Sequence, residues 1–455
     1  MAEPEKKSRT NAEWLALHKK HRLKTRFTSP MVLERGDGLT VWDVEGNEYM
    51  DFHSGQVCAG IGHANPEFAE ALSKQLSLLV QSGSIFTVPP EIEVAEMLSE
   101  IAGPPFTKSV FACSGSEAVE AALRMAKFAT GKFEVIAILG SYHGMTGGSF
   151  FVSSNSGFRT GAYGAGMPGI VQIPMPNEYR CEFACGGTCN LACARQARKM
   201  IEGSTSGRPA ALICEFLFSA AGVIVPPNNW LTEMRKLCDE FGMLFIADEA
   251  QTGLGRTGDW FAFNHSNIKP DIIVVSKSLG GGIPLSAVIV SDEVAKTLEE
   301  KGFGYSSSHS GDPFLAAAGV ATINIMRKHD LVTNVREMGA YLKGRLEELK
   351  KRFEIVGDVR GRGLKLGMEF VEDKASKKPS QPATREFTLR CRDKCLILGN
   401  NPERGNVVRI LPGFAITREQ VDYAVRIMEE VLVETTATLG AKNGKTTAEL
   451  VTAKT

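Results

Sequence analysis

Short apolar runs alternate with segments of helical periodicity between residues 108 and 291. The runs predict strands at 108–112, 134–138, 170–174, 210–215, 243–248, 271–275 and 286–291, and the periodic segments predict helices at 116–130, 191–204 and 229–241. Several runs are continuously apolar, as is typical of strands buried on both faces. The pattern predicts a layered α/β domain with a mostly parallel sheet, and active sites in such sheets lie at the carboxyl ends of the strands.

After about residue 311 the pattern predicts a second, smaller α+β domain. Helices are expected at 312–328, 331–352, 383–395 and 417–435, with strands near 354–358 and 364–370. Near the N-terminus, a helix at 11–24 after an Asn cap precedes short strands within 31–53 and helices at 66–80 and 90–102. We therefore expect an N-terminal segment (1–65) that joins the small domain, a large domain (66–310), a small C-terminal domain (311–435) and a polar, disordered tail (436–455).

Composition and charge exclude several classes of protein. Hydrophobic residues make up 43% of the chain and charged residues 23%, which is ordinary for a globular protein. Lys+Arg and Asp+Glu both number 52, so no net charge attracts nucleic acid or an anionic membrane. No apolar run has the length of a transmembrane helix, and the polar N-terminus lacks a secretory signal. We expect a cytoplasmic protein with reduced cysteines.

Two charged residues follow apolar runs at neighbouring strand ends. Lys277 opens the segment S-K-S-L-G-G-G-I-P, where partial burial would lower its pKa and suit it to forming a Schiff base. Asp248 opens D-E-A-Q-T-G-L-G-R-T-G, and a buried carboxylate there needs a cation such as the protonated ring nitrogen of pyridoxal phosphate (PLP). Each residue alone has a plainer interpretation, as a surface lysine or a helix-capping aspartate. Together they favour a cofactor site.

Two further segments complete the candidate site. Ser114, Gly115 and Ser116, in C-S-G-S-E-A, open a predicted helix whose free N–H groups would bind a phosphate, although a simple Ser cap has the same sequence. Tyr142 and His143, in S-Y-H-G-M-T-G, follow another strand, where Tyr142 would stack on an aromatic ring and His143 would support it. A Tyr-His pair in such a loop is otherwise usually structural.

These segments, in this order, resemble the class III PLP-dependent aminotransferase family over about residues 25–435. The resemblance implies an α/β fold of the fold-type I PLP-dependent aminotransferase class, with amino acid and 2-oxo acid substrates. It also implies a homodimer with active sites at the interface, often paired into a homotetramer. By matching position, Lys277 would be the Schiff-base lysine and proton carrier, Asp248 would pair with the pyridine nitrogen, and Gln251 would contact the ring hydroxyl.

The same resemblance assigns the remaining site residues. The phosphate would be bound by Ser114, Gly115 and Ser116, with Ser308 reaching the phosphate of the neighbouring subunit. Tyr142 and His143 would contact the ring. The substrate would meet Met145 and Arg409, and Arg409 would hold its carboxylate by a bidentate pair.

Other segments resemble the branch of this family that decarboxylates 2,2-dialkylglycines. D-F-H-S-G-Q at 51–56 places Gln56 where that branch has a glutamine that promotes decarboxylation. The resemblance also implies a K⁺ or Na⁺ site near the cofactor with Ser82, Ser308 and Asp312 as oxygen ligands, although Asp312 equally suits a cap of the following helix. The chain departs from the family pattern on the substrate side, at Phe216 after Glu215, at Ala220 and at Tyr142.

Three hypotheses of function follow. The first is PLP-dependent, decarboxylation-coupled transamination of a 2,2-disubstituted amino acid, which releases CO₂ and a ketone and uses pyruvate or another 2-oxo acid as acceptor. The second is an ordinary ω- or α-aminotransferase without decarboxylation. The third, a catalytically silent binding protein, is disfavoured because Lys277, Asp248 and Gln251 are all present. The first is preferred because of Gln56 and the candidate cation ligands.

Four cysteines stand at a regular spacing of four residues, at positions 181, 185, 189 and 193. Four thiolates can hold zinc or an iron–sulfur cluster. The usual C-x₂-C pairs are missing, so we expect a surface loop with free or locally paired thiols.

Overall fold

The computed structural model describes residues 9–25, 28–154, 166–185, 189–399 and 405–442. Helix α1 (Asn11–His21) precedes an antiparallel meander of β1 (Leu33–Asp37), β2 (Thr40–Asp43) and β3 (Glu48–Phe52). Strand β3 pairs in parallel with β13 (Leu396–Leu398), so the N-terminal segment and the C-terminal part of the chain share one sheet.

The cap of the first helix differs from the prediction. Thr10, not Asn11, is the N-cap residue, because its side chain accepts from N of Glu13 while the Glu13 carboxylate accepts from N of Thr10. This reciprocal capping box satisfies two backbone donors at once. Asn11 instead donates from its side chain to Asp43.

A seven-stranded sheet forms the centre of the large domain. Its strands are β4 (Phe106–Ala112), β5 (Val135–Ile138), β6 (Ile170–Ile173), β7 (Ala211–Glu215), β8 (Leu244–Asp248), β9 (Ile272–Val275) and β10 (Ser286–Ser291), in the spatial order β4-β10-β9-β8-β7-β5-β6. Strand β10 is antiparallel to both neighbours, and the other pairings are parallel. The mostly parallel sheet predicted from the continuous apolar runs is confirmed.

Helices cover both faces of this sheet. Between β3 and residue 300 the helices are α2 (Ser54–Val57), α3 (Pro66–Leu76), α4 (Pro89–Ala102), α5 (Gly115–Thr130), α6 (Gly147–Val152), α7 (Ala192–Ser204), α8 (Asn228–Phe241) and α9 (Asp292–Glu300), with single 3-10 turns at Ala262–His265 and Lys277–Gly280. Helix α5 buries an alanine-rich face against Ile246 and Val274 of the sheet. Small side chains let the helix axis approach the sheet closely, which brings the N-terminus of α5 to the strand ends.

The C-terminal domain follows α10 (Pro313–Lys328). It comprises α11 (Leu331–Arg352), β11 (Val356–Arg362), β12 (Lys365–Phe370), α12 (Gln381–Asp393), β13, β14 (Val407–Ile410) and α13 (Arg418–Lys442), and its antiparallel sheet has the order β11-β12-β14. Among the described residues, no helix combines the length and apolarity needed to cross a bilayer.

Two predicted boundaries are wrong. Helix α13 continues through Lys442, whereas the sequence placed the start of a disordered tail at 436. The C-terminal part of α13 is held in place because Arg390 of α12 donates to Glu434 and Thr438, and because Thr435 and Thr436 are buried. Helix α3 ends at Leu76 instead of near Val80, and the apolar residues that follow it are exposed. Residues 443–455 lie outside the described part of the chain.

Candidate active site

Neighbouring strands of the large sheet end in charged side chains. Glu215 and Asp248 are the last residues of β7 and β8, and they lie opposite each other in the parallel pairing of these strands. Lys277 follows β9, which pairs with β8. Because parallel strands bring their carboxyl ends to one edge, the structure places Asp248 and Lys277 at adjacent strand ends, as the sequence predicts.

A histidine holds the Asp248 carboxylate. Nδ1 of His143 lies 2.7 Å from Oδ2 of Asp248, and N of Ala250 donates to Oδ1 at 3.0 Å. Asp248 is 5% exposed and His143 is 3% exposed. Among the described residues, no Lys or Arg forms an ion pair with Asp248. A buried carboxylate without a Lys or Arg partner is suited to a cationic ligand group.

Lys277 has a strained backbone and a partly desolvated amine. Its φ is +44°, in the left-handed region that non-glycine residues rarely adopt. Burial lowers the pKa of the Lys277 ammonium, and the charge of Arg409 acts in the same direction, whereas Asp248 opposes the shift. A lysine with a lowered pKa has a larger neutral fraction, and the neutral amine is the nucleophile.

The N-terminus of α5 lies beside the turn that carries Lys277. A Cβ placed on Gly115 would be 3.5 Å from the side chain of Ser276 and 3.5 Å from Cβ of Ala250. Ser114 forms a capping box with Glu117, so the capping interpretation of this serine is confirmed. The backbone N–H groups of Gly115 and Ser116 donate to no other described residue. The first turn of the helix therefore leaves donors free for an anion at the strand ends.

The loop that carries Tyr142 is anchored by Glu215. N of Tyr142 donates to Oε1 of Glu215 at 3.0 Å, and N of Ser219 donates to Oε2 at 3.0 Å. Burial raises the pKa of Glu215, and it also raises the pKa of the Tyr142 phenol. The sequence analysis assigned no role to Glu215 and noted only that Phe216 after it departs from the family pattern. The structure shows that it fixes the loop at Tyr142.

Comparison with known proteins identifies the family. The model of the class-III aminotransferases matches residues 24–432, which is most of the chain. The chain belongs to the class-III aminotransferases.

Named relatives of this aminotransferase have several activities. It is 37% identical over 415 residues to an uncharacterized aminotransferase of Schizosaccharomyces pombe (90% of this chain, 91% of the relative). It is 34% identical over 420 residues to an alanine/serine racemase of Pyrococcus horikoshii (89% of this chain, 86% of the relative). It is 35% identical over 416 residues to an acetylornithine aminotransferase of Archaeoglobus fulgidus (91% of this chain, 99% of the relative). None of these three is named as a dialkylglycine decarboxylase.

Solved structures share the fold. An (S)-enantioselective ω-transaminase of Thermomicrobium roseum superposes with a TM-score of 0.87 at 30% identity, covering 93% of this chain and 98% of that one. An amine transaminase of an uncultivated Pseudomonas species, in its PLP-bound form, superposes with a TM-score of 0.86 at 28% identity, covering 91% and 99%. The fold-type I PLP aminotransferase fold predicted from the sequence is confirmed, and the family is PLP-dependent.

The residues of this class-III aminotransferase fit PLP. An amine (Lys277), a buried carboxylate without a Lys or Arg partner among the described residues (Asp248) and free N–H groups at a helix N-terminus (Gly115 and Ser116) meet at one edge of the sheet. These groups match the aldehyde, the ring nitrogen and the phosphate of PLP. Met145 joins this edge, because its N donates to Oγ of Ser116 at 3.1 Å, and its side chain is exposed.

The small domain contributes an arginine to the same site. Arg409 lies in β14, and its Nε contacts the carbonyl oxygen of Gly399 at 3.4 Å. Among the described residues no carboxylate forms an ion pair with it. Burial lowers the pKa of Arg409, although a guanidinium stays charged at neutral pH. The predicted carboxylate-binding arginine therefore lies near Lys277 with its charge unneutralised by the described chain.

Gln56 lies on a short helix close to Lys277. Helix α2, which contains Gln56, packs beside the 3-10 turn Lys277–Gly280. Burial raises the pKa of the Cys58 thiol, and the charge of Lys277 opposes this shift. Cys58, which follows α2, is therefore near the lysine. The Gln56 side chain itself is exposed.

The predicted cation ligands lie on adjacent segments near the N-terminus of α5. Nε2 of Gln81 donates to the carbonyl oxygen of Ser308 at 3.2 Å, which places Ser82 beside the loop 305–312. Sγ of Cys113 contacts the carbonyl oxygen of His309. Asp312 is the N-cap residue of α10 but makes no capping hydrogen bond, and its Oδ2 lies 2.6 Å from Nδ1 of His309. Asp312 thus has the cap position that the alternative predicts, but its side chain bonds to His309 instead of capping the helix.

Sequence reasoning missed two buried cations. Arg256 is fully buried, and its Nη1 donates to the carbonyl oxygens of Pro412 at 2.5 Å and Leu364 at 3.3 Å. Lys365 is also fully buried and donates to Gln251. Lys365 had a visible signal, because a lysine interrupts the otherwise apolar stretch L-K-L-G-M of a predicted strand.

The four regularly spaced cysteines are free thiols. Sγ of Cys185 donates to Oδ1 of Asn190 at 3.2 Å, and contacts with Cys185 lower the pKa of Cys181. Burial raises the pKa of Cys193 to about 11. Within the described ranges, no three His, Cys, Asp or Glu side chains are arranged to hold a metal ion.

Proposed function

We propose that the protein transfers an amino group between an amino acid and a 2-oxo acid by ordinary transamination. The observation that carries this proposal is Arg409, whose guanidinium lies near Lys277 without a carboxylate partner among the described residues. Both an amino acid and a 2-oxo acid present a carboxylate that a guanidinium binds in bidentate fashion. The relatives named as aminotransferases support the same activity.

Each described residue then has a defined task. Bound PLP supplies the electron sink of the reaction. Asp248 keeps the proton on the ring nitrogen, and His143 orients the Asp248 carboxylate through the bond at 2.7 Å. Lys277 would hold the cofactor, and its neutral amine would take the proton from the substrate α-carbon. Tyr142 would contact the ring, and Gly115 and Ser116 would bind the phosphate.

Decarboxylation-coupled transamination of a 2,2-disubstituted amino acid is the second candidate. It is supported by the packing of α2, which contains Gln56, beside the turn Lys277–Gly280. A substrate without an α-hydrogen can lose only its carboxylate or a side chain as the labile group. A glutamine amide that hydrogen-bonds that carboxylate would favour release of CO₂ and a ketone.

One experiment separates the two candidates. The purified holoenzyme is incubated with pyruvate as acceptor and either glutamate or 2-aminoisobutyrate as donor, and 2-oxoglutarate, alanine, CO₂ and acetone are quantified. The proposal expects alanine and 2-oxoglutarate from glutamate, or a corresponding oxo acid from another donor of a 20-amino-acid panel, with no CO₂. Release of CO₂ and acetone from 2-aminoisobutyrate would establish the second candidate instead. No alanine from any donor would contradict both.

We also propose a homodimer. Six apolar side chains of one short stretch are exposed, namely Leu76, Leu78, Leu79, Val80, Ile85 and Phe86. Contiguous exposed apolar surface marks an interaction site, and the bond from Gln81 to Ser308 puts this surface next to the loop that the family resemblance directs to a neighbouring cofactor. A second copy of the chain is therefore the proposed occupant. Ser82, Ser308 and Asp312 remain the proposed ligands of an alkali cation at this edge.

A further inference from the structure

Lys365 is a lysine in the interior of the small domain. Every residue of β12 is buried, and the Lys365 side chain is 0% exposed. Its Nζ donates to Oε1 of Gln251 at 2.5 Å. Among the described residues no Asp or Glu forms an ion pair with it. The amide oxygen of Gln251 is thus its side-chain partner in the described chain.

The surroundings make this lysine unfavourable for folding. Burial lowers the pKa of Lys365 well below its ordinary value. The charge of Glu215 opposes this shift, whereas the charges of Lys277, Arg256 and Arg409 add to it. A methionine of similar length would fill the same space without a buried amine. A residue that violates the rules of core composition in this way indicates a functional role.

The geometry shows how the role can be exercised. Lys365 is fully enclosed, so it cannot touch a substrate or the cofactor directly. Gln251 is only half-buried and lies on the same loop as Asp248, at the strand ends. Because Nζ of Lys365 donates to Oε1, this contact holds the oxygen of the amide. The Nε2 end of Gln251 then points away from Lys365, whereas an unsupported amide can turn either way.

We propose that Lys365 is a positioning residue that holds the Gln251 amide with Nε2 directed at the cofactor, where it donates to the phenolic oxygen of the ring. This inference rests on the PLP site proposed above and adds to it a residue of the small domain. A donor at the phenolic oxygen favours its deprotonated form. Polarisation of the amide by Lys365 strengthens that donor.

The test measures the visible absorption band of the holoenzyme as a function of pH, without substrate. Lys365→Met should raise the pH midpoint of the band by roughly one unit, because the weakened donor leaves the proton near the ring oxygen more tightly held. Gln251→Ala should shift the midpoint in the same direction. In Lys365→Met/Gln251→Ala, the lysine change should add nothing. Lys108→Met, at an exposed lysine of β4, is the matched control and should leave the midpoint unchanged.

Three outcomes would overturn the proposal. The first is an unchanged midpoint in Lys365→Met. The second is a full additional shift in the double variant, which would indicate a direct charge effect of the lysine. The third is a loss of apoprotein stability at pH 7 in Lys365→Met, which would indicate a structural lysine. If Lys365→Met does not fold, Gln251→Glu keeps a partner for Lys365 and removes the donor, and its midpoint must rise. Absence of the band in the wild type would contradict the PLP site itself, whereas a failed substrate assignment leaves these spectra unaffected.

Discussion

Nδ1 of His143 lies 2.7 Å from Oδ2 of Asp248, and both side chains are buried. The pair joins two loops that are far apart in the chain, at the ends of β5 and β8. Because the histidine occupies one carboxylate oxygen, the other is left to N of Ala250 and to a ligand cation. This relationship sets the first prediction.

Asp248→Asn should lower kcat by roughly 100-fold, because a neutral amide cannot keep the ring nitrogen protonated. His143→Leu should lower kcat by about 10-fold while the Asp248 charge remains, since only the orientation of the carboxylate is lost. Steady-state transamination rates measure both. His265→Leu, at a half-buried histidine bonded to Thr257, is the control. Equal kcat in Asp248→Asn and the wild type would contradict the assignment.

Lys277→Ala should abolish turnover and the visible absorption band that a lysine-bound cofactor produces. The reason is that, within the described ranges, the other fully buried lysine is Lys365, which is enclosed and donates to Gln251. Absorption spectra of the protein incubated with PLP, and product assays, check this. Lys269→Ala, at an exposed lysine before β9, should retain both. A normal band in Lys277→Ala would place the cofactor on a different residue.

Arg409→Lys should raise KM for an amino acid donor by about 10- to 100-fold, because an ammonium cannot replace the bidentate guanidinium. A donor that lacks a carboxylate, such as 2-aminopropane, should be affected little. The cofactor half-reaction, followed as a single-turnover absorbance change, compares the two donors without the 2-oxo acid. A similar loss for both donors would show that Arg409 supports the site as a whole and does not bind the carboxylate.

Glu249 should make the protein less stable as pH rises. Burial raises the pKa of Glu249 from 4.5 to about 7, although Thr252 and N of Phe263 donate to the carboxylate. The folded state therefore binds this proton more tightly than the unfolded state, and the free energy of unfolding falls between pH 4.5 and 7. Glu249→Gln should be more stable than the wild type at pH 8 by up to roughly 3 kcal/mol, and equally stable near pH 4.5.

Urea unfolding of both apoproteins at several pH values measures this difference. Groups other than Glu249 contribute equally to the two proteins, so their pH dependence cancels. A difference that is constant from pH 5 to 8 would contradict the raised pKa.

Leu78→Asp/Ile85→Asp should convert a dimer into monomers, because two charges would be buried without partners in the interface. Sedimentation velocity measures the assembly state, and Val433→Asp, at an exposed apolar residue on α13, is the control. A monomeric wild type would contradict the homodimer proposal.

The sequence predicted that most of the candidate cofactor-site residues lie at one edge of the sheet, because each has its own local pattern. Asp248, Lys277 and Ser114–Ser116 lie at or just after the end of a predicted strand, and the geometry of parallel strands brings such ends together without further information. The strands and helices of the large domain were predictable for the same reason, because their apolar runs and periodic segments are continuous in the chain.

Contacts between distant segments were decided only by the tertiary structure. The pairing of β3 with β13, the anchoring of the Tyr142 loop by Glu215, and the bond from Lys365 to Gln251 join residues that no short sequence pattern links. The end of α13 also depends on α12, because Arg390 orders the last turns. The apolar pattern therefore determined the sheet and the edge at which the cofactor residues meet. Packing between the domains determined which buried side chains support them, since burial and hydrogen-bond partners arise only when the distant segments meet.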